Sequence, residues 1–359
     1  MKILYGVQGT GNGHLSRARA MAKHFAKHDV EISYLFSGRP KDKYFDMEAF
    51  GDFQVCKGMT FHTENGQVSY PKTLLKNNLF SFFNDVSSLD VAPFDLILND
   101  FEPVSAWAGK LKGKTVINIG HQPAFHHDIP KQGGNIIANT VMRIFAPGHI
   151  QIGLHWHHFD QSIMPPILHV ENNSTDTVDN KILVYLPFEN QTDLVNRIAG
   201  FAAFDFYLYS PDNIFEDKDN LHFRPLSVDG FKQDLYSCSG VICNSGFELP
   251  SECIHLGKKL LVKPVKNQME QSSNALALRI LGLGETMDEL DSDTIGAWLH
   301  SNKQNKRIRY PDVSEALVKW ITKREFHTLD ELKHELWEQV AVDSSLESCN
   351  AVSCSSSGL

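Results

Sequence analysis

The sequence predicts an α/β fold made of two doubly wound parallel-sheet domains in tandem. The chain has 359 residues, more than one hydrophobic core usually serves. Short apolar runs alternate with helix-length amphipathic sequence in both halves, the pattern of βαβ units. A polar stretch, Glu171–Asn180, nearly free of apolar residues and preceded by Pro165-Pro166, separates the two series as a linker.

In the first half the expected strands are Lys2–Tyr5, Val30–Phe36, Phe53–Cys56, Phe94–Leu98 and Lys114–Ile119, with an Ala-rich helix over Leu15–Phe25. In the second half they are Lys181–Leu186, Phe204–Tyr209, Leu221–Phe223, Gly240–Cys243 and Lys259–Val262. An acidic helix near Asp291–His300 and an amphipathic stretch from Asp312 to Val340 follow. The expected division is a first domain over residues 1–166, a linker over 167–180, and a second domain over 181–340 whose last helices pack back on the first. Residues 341–359 are Ser-rich without an apolar period and read as a disordered tail. Two such domains share a crevice outside the carboxyl ends of their strands, where a ligand is expected.

Composition excludes several classes. Hydrophobic residues make up 42% and charged residues 21% of the chain, and the net charge is −9. That balance disfavours a nucleic-acid partner, which needs clustered Lys and Arg. The first strand begins without a secretory h-region, and no run reaches the roughly 20 apolar residues that span a bilayer. A cytoplasmic protein is expected, at most peripheral at the inner membrane face. The six cysteines show no metal-binding spacing, so reduced thiols and no zinc site are expected.

Gly6, Gly9, Gly11 and Gly13 follow the first strand directly. Glycines there permit a tight turn and close approach of a ligand to a helix N-terminus. A dinucleotide fingerprint counted from Gly9 would require glycine where His14 stands, and the second strand ends in Phe36-Ser37-Gly38-Arg39 without an acid. NAD binding is disfavoured, and an NADP site aided by Arg39 is a lesser alternative. At the first turn of a helix His14 is kept neutral and able to accept a proton, or it packs under the turn. The fourth strand runs into Asn99-Asp100-Phe101-Glu102, at the same crevice. Asp100 can orient His14 as a general base, Glu102 can meet an acceptor, and one of the two acids caps the helix that begins near Pro103.

In the second half, Val241–Glu252 reads strand, turn, helix. The N–H groups after Ser245-Gly246 point toward a diphosphate, and Glu252 can accept hydrogen bonds from a ribose. Gln268-Met269-Glu270-Gln271 then opens another helix. A glycine-turn histidine, a Ser-Gly turn with a downstream glutamate, and an acid-Gln pair before Asn274-Ala275 occur here in one order. In this combination the chain resembles the GT-B glycosyltransferases over residues 1 to about 285. By motif it is similar to the lipid II N-acetylglucosaminyl transferase and to the UDP-glucuronosyl and plant UDP-glycosyltransferase families.

The resemblance implies two Rossmann-like domains facing a central cleft. It makes His14 the base, Asp100 its partner, Glu252 the ribose ligand, and Glu270 and Gln271 the contacts to the donor sugar. Val228 falls near the position that packs on the nucleobase. It implies a UDP-sugar donor, inversion, and chemistry without cofactor or metal. Two departures stand out: Leu186–Asn190 replaces the glycine- or serine-rich turn of the second domain, and Asn244 stands where the lipid II enzyme has arginine.

Histidines gather at His121, His126 and His127, and at His155, His157 and His158. Their spacing fixes no metal geometry, and lining of the acceptor cleft is the preferred reading, His121 foremost. The apolar stretch Leu74–Phe83 suits either the core or a membrane contact; the acidic net charge favours the core. The expected activity is transfer of a sugar from a nucleoside diphosphate to an acceptor hydroxyl, in cell-envelope or natural-product glycosylation, with a lipid-linked or saccharide acceptor. Rival readings are a sugar-nucleotide epimerase or hydrolase, an NADP oxidoreductase, and a non-catalytic binding protein.

Overall fold

The computed structural model describes residues 1–60, 63–64, 67–68, 78–133, 144–170, 176–210, 216–302 and 306–343. Residues 344–359 and 74–77 lie outside the described ones. Ala341–Val342, expected in the tail, pair as a short strand with Ile308–Arg309, and Leu79–Ser88 is a helix that buries Phe82 but leaves Leu79, Phe80 and Phe83 exposed, against the core reading.

Two six-stranded parallel sheets form the frame. The first contains β1 (Lys2–Gln8), β2 (Glu31–Ser37), β3 (Phe53–Cys56), then, after a two-residue hairpin of β4 (Thr63–Glu64) with β5 (Gln67–Val68), β6 (Leu96–Asp100), β7 (Val116–Gly120) and β8 (Ile150–Gly153). Its order is β3-β2-β1-β6-β7-β8. The second contains β9 (Val178–Tyr185), β10 (Asp205–Tyr209), β11 (Leu221–Arg224), β12 (Cys238–Asn244), β13 (Lys259–Lys263) and β14 (Glu285–Thr286), in the order β11-β10-β9-β12-β13-β14. Both orders reverse direction beside their first strand, which opens a crevice there. The central strands are buried on both faces, Ile3–Gln8 and Leu96–Asp100 throughout, hence their continuous apolar runs.

The ten expected strands are present with ends shifted by up to three residues. Val178–Asn180, expected in the linker, already belong to β9. The edge strands β8 and β14 were not expected: β8 is four residues long and half-buried at its start, and β14 is a polar pair.

The amphipathic stretch from Asp312 is two helices, Val313–Lys323 and Leu329–Glu338, parted at Arg324, which is left-handed at φ 57°. The first of them lies against the helix Asn12–Phe25, with His24 Nε2 3.0 Å from Asp312 Oδ2. Near the second, Trp337 Nε1 donates to the Ile163 carbonyl at 2.8 Å. Leu15, Met21, Leu317 and Ile321 share one buried cluster, so chain that follows the second sheet helps to build the core of the first. Among the described residues no helix is long and apolar enough to cross a membrane.

Candidate functional site

The helix Asn12–Phe25 starts at Gly11 with no side-chain cap, which leaves first-turn N–H groups unbonded. His14 and Arg17 are one turn apart on one face. On the neighbouring strand the register sets Asp100 beside Val7, so its carboxylate meets that face. His14 Nδ1 lies 2.7 Å from Asp100 Oδ1, with the imidazole 15% exposed and the carboxylate fully buried. An ionised carboxylate only accepts, so it takes the Nδ1 proton and leaves Nε2 as the basic nitrogen.

Arg17 completes the cluster. Its Nε and Nη2 donate to Asp100 Oδ2 and Oδ1 at 2.8 Å each, and its Nη1 donates to Glu248 Oε1 of the second half. Burial opposes the charge on Asp100, but Arg17 and His14 more than offset it and hold the carboxyl below its ordinary range. For Glu248 burial wins: helped by Asp100 and Glu252 against Arg17, it pushes the carboxyl up to about 8.

Two glycines of the turn are explained by packing within the protein. A Cβ on Gly9 would meet the Tyr44 hydroxyl and, at 2.8 Å, the Ser37 carbonyl oxygen; one on Gly13 would lie 2.8 Å from Glu248 Cγ. The expected ligand approach is therefore replaced at Gly13 by approach of the other half. Around Gly11 the nearest atom is His14 Cδ2, at 3.8 Å.

Between the halves lies a partly open cleft of about 120 Å³. The first half lines it with Asn12, Gly13, Ser16 and Arg19, the second with Tyr185, Val228, Phe231, Lys232, Leu249 and Glu252. Asn12 Nδ2 reaches across to the Tyr185 hydroxyl at 2.8 Å. Glu252 accepts from Lys232 Nζ at 2.6 Å and from Ser16 Oγ at 3.4 Å. Val228 begins the helix Val228–Ser237, and its N–H is held by Asp46 Oδ2 at 2.7 Å.

The Ser-Gly turn is used in part differently from expectation. The N–H groups of Ser245 and Gly246 are bonded to the carbonyls of Lys263 and Asn244, and Ser245 Oγ donates to the Gln271 carbonyl. The unbonded donors are those that follow: the helix Glu248–Leu256 has no side-chain cap at Phe247, and a Cβ on Gly246 would meet nothing within 4 Å. Glu270 Oε2 accepts from Gln122 Nε2 at 3.1 Å, whereas Gln271 is buried with its Oε1 on the Val265 N–H at 2.9 Å. The missing glycine turn after β9 is matched by a buried ion pair of Glu189 with Lys263 at 3.0 Å, and Asn244 Nδ2 donates to the same carboxylate.

Glu102 and His121, expected on the acceptor side, are both 0% exposed. Glu102 is the acid that caps: its oxygens accept from the N–H groups of Val104 and Ser105, and from Ser37 Oγ. His121 stacks on Phe247 with ring centres 4.0 Å apart, its Nδ1 2.8 Å from the Leu154 carbonyl oxygen and its Nε2 2.7 Å from Asn274 Oδ1. His155 joins the same aromatic wall, so these histidines bind the halves together rather than line open space. Among the described residues, one His and acid grouping brings three ligand atoms within 4.8 Å, His24 with Asp312 and Glu315, and no residue of it lines the cleft.

Three residues of the site went unrecognised in the sequence. Arg17 sits in an Ala-rich helix, where its one signal is the spacing of three from His14. Glu248 immediately follows a turn that drew attention to Glu252 instead. Phe101 is left-handed at φ 54°, a conformation costly for an aromatic residue, and its ring stacks at 9° on His14.

The model of the family described as Glycosyl transferase family 1 matches residues 1–302. No curated protein matches the sequence. Among solved structures, the glycosyltransferase SnogD from Streptomyces nogalater is 15% identical, with TM-score 0.54 over 94% of this chain and 99% of its own. The spinosyn rhamnosyltransferase SpnG, complexed with thymidine diphosphate, is 13% identical, with TM-score 0.54 over 94% and 100%. The spinosyn forosaminyltransferase SpnP is 11% identical, with TM-score 0.55 over 94% and 98%. At these identities the likeness is one of fold.

Proposed function

The chain belongs to glycosyl transferase family 1 and has the GT-B fold, and from this premise we propose that it transfers a sugar from a UDP-linked donor to an acceptor hydroxyl with inversion. The observation that carries the reading is the His14–Asp100 pair, a carboxylate-held imidazole whose Nε2 is left basic, with the ring 15% exposed and next in sequence to Gly13 of the cleft wall. His14 Nε2 removes the acceptor proton as the oxygen attacks the anomeric carbon, and Asp100 stabilises the imidazolium that forms.

The donor lies on the second half. Val228, with Phe231 and Leu249 beside it in the cleft, packs on the nucleobase, and Glu252 receives the ribose hydroxyls. The uncapped N-terminus beyond Ser245-Gly246 meets the diphosphate with N–H groups and the positive end of the helix dipole. These donors stabilise the charge that develops on the leaving nucleotide, which assigns the work to the protein rather than to a metal. Glu270 and Gln271, at the start of the helix Met269–Leu281, meet the hydroxyls of the transferred sugar. Residues 1–166 form the acceptor domain and 181–340 the donor domain, in a protein of the cytoplasm. SpnG takes thymidine diphosphate, so the test spans both pyrimidine carriers.

The test is a panel of UDP- and TDP-sugars scored by thermal stabilisation, since a true ligand raises apparent stability by mass action. Donors that stabilise are then supplied with saccharide, lipid-linked and natural-product acceptors, and the anomeric configuration of the product is read by NMR. Stabilisation by a UDP-sugar and an inverted glycoside support the reading. A retained configuration removes the single-displacement mechanism, and turnover of the donor with no acceptor present points to an epimerase or hydrolase.

A further inference from the structure

The two halves of the cleft meet on one guanidinium. Arg17 spends Nε and Nη2 on Asp100 in its own half and Nη1 on Glu248 in the other. All three side chains are at least nine-tenths buried. Gly13 marks the same contact, because a Cβ there would lie 2.8 Å from Glu248 Cγ. Arg17 Nη2 is also 2.9 Å from His14 Nδ1, and both nitrogens converge on the single oxygen Asp100 Oδ1. Arg17 thus competes with His14 for Asp100, and Glu248 competes with Asp100 for Arg17.

We propose that Arg17 and Glu248 form a clamp that assembles the His14–Asp100 base only while the two halves are closed on each other. Arg17 is a positioning residue, and Glu248 holds its Nη1 across the cleft, in the orientation in which Asp100 Oδ1 still reaches His14. The inference rests on His14 being the general base. Without Glu248 the guanidinium has no partner across the cleft and turns wholly onto Asp100, drawing that charge away from the imidazole. With Glu248 its Nη1 end is held by a carboxyl oxygen of the other half, and proton abstraction is confined to the closed cleft. The other ionisable groups facing the cluster are Tyr5 on β1, His121 after β7 and Glu252 on the helix of Glu248, with Lys232 paired to Glu252.

The test is a double-mutant cycle on kcat with Arg17→Met and Glu248→Leu, together with the pH dependence of kcat/KM. Each single change is expected to lower kcat by about tenfold or more, and the double mutant to fall no further than the worse single, as for residues that act as one unit. Removing the cation 2.9 Å from Nδ1 favours the imidazolium, so in Arg17→Met the acid limb of kcat/KM moves to higher pH. Arg17→Lys keeps the charge but not the fork: its kcat falls while the limb stays, and it replaces Arg17→Met in the cycle if that variant does not fold.

A merely structural role lowers the melting temperature and leaves the limb in place. Additive losses, or an unmoved limb in folded Arg17→Met, overturn the clamp. His14→Ala is measured alongside: turnover near wild type in that variant removes the general-base reading and the clamp together. An inactive His14→Ala with an additive cycle removes the clamp alone.

Discussion

The turn after β1 and the turn after β12 flank the point where the order reverses in two sheets of the same topology, β1 as the third strand of its sheet and β12 as the fourth, and their surroundings differ. Each is a strand-turn-helix unit with an uncapped helix start. The first places an imidazole in that helix and fills the space around its glycines with Tyr44 and Glu248. The second leaves Gly246 facing open space and its following N–H groups free. The proposed function uses the first as the base and the second as the anion site. The difference lies in which neighbours crowd the turn: Tyr44 of the same half and Glu248 of the other at the first, and none at Gly246.

The largest expected effect breaks the first turn only. His14→Ala is expected to lower turnover by about 10²-fold or more, the scale of general-base assistance, and to leave UDP affinity intact. Asp100→Asn acts in the same direction, and the double mutant is much less than additive. Turnover, calorimetric UDP affinity and melting temperature on the three variants decide the matter. Near wild-type turnover in folded His14→Ala ends the mechanism and leaves the second turn standing.

The complementary change breaks the second side. Glu252→Ala is expected to weaken UDP binding by about tenfold or more, the worth of a hydrogen bond to a charged group, with the fold retained. Glu270→Ala and Gln271→Ala should impair use of the nucleotide sugar more than binding of free UDP. Unchanged UDP affinity in the first variant, or equal losses for both ligands in the others, removes these residues from their assigned places.

What was legible in the sequence follows the same division. The inner strands were readable because they are buried on both faces and so run continuously apolar, as in Ile3–Tyr5 and Ile97–Leu98. The edge strands β8 and β14 are short, and β14 is polar, so they carry no such signal. The contact of His14 with Asp100 was readable because one opens the helix after the β1 turn and the other ends β6. The split of roles between Asp100 and Glu102 was not: two acids two residues apart look alike until the left-handed Phe101 turns one toward His14 and the other into the cap. Arg17 was missed because an arginine in a helix ordinarily faces water, and its partner Glu248 lies 231 residues away.

A smaller effect separates the two turns by size alone. Gly13→Ala places a methyl against Glu248 Cγ and Cβ, at 2.8 and 3.4 Å, whereas Gly246→Ala meets nothing within 4 Å. The first is expected to lower turnover several-fold by parting the halves, although alanine is the better helix former by roughly 1 kcal/mol. The second should leave the melting temperature unchanged and weaken donor binding, because its methyl shields the free N–H groups. Equal behaviour of the two variants in both measurements would erase the distinction between a packed turn and an open one.

The smallest effect concerns the carboxylates that the two halves offer to Arg17, whose contributions to stability have opposite signs with pH. Asp100 is held below its ordinary range, so the unfolded chain takes up its proton first as pH falls, and the stability it lends is lost on the acid side. Glu248 is raised from 4.5 to about 8. In that window the folded protein holds a proton that the unfolded chain has released, so stability falls as pH rises through it. Glu248→Gln cannot ionise and is expected to flatten this alkaline decline in melting temperature while leaving the acid arm unchanged. Asp100→Asn is expected to flatten the acid arm alone. A Glu248→Gln profile that follows wild type between about 4.5 and about 8 would mean that Glu248 ionises in the folded protein much as it does in the unfolded chain. Its contact with Arg17 would then be strong enough to offset burial, and the two carboxylates of the cleft would be alike after all.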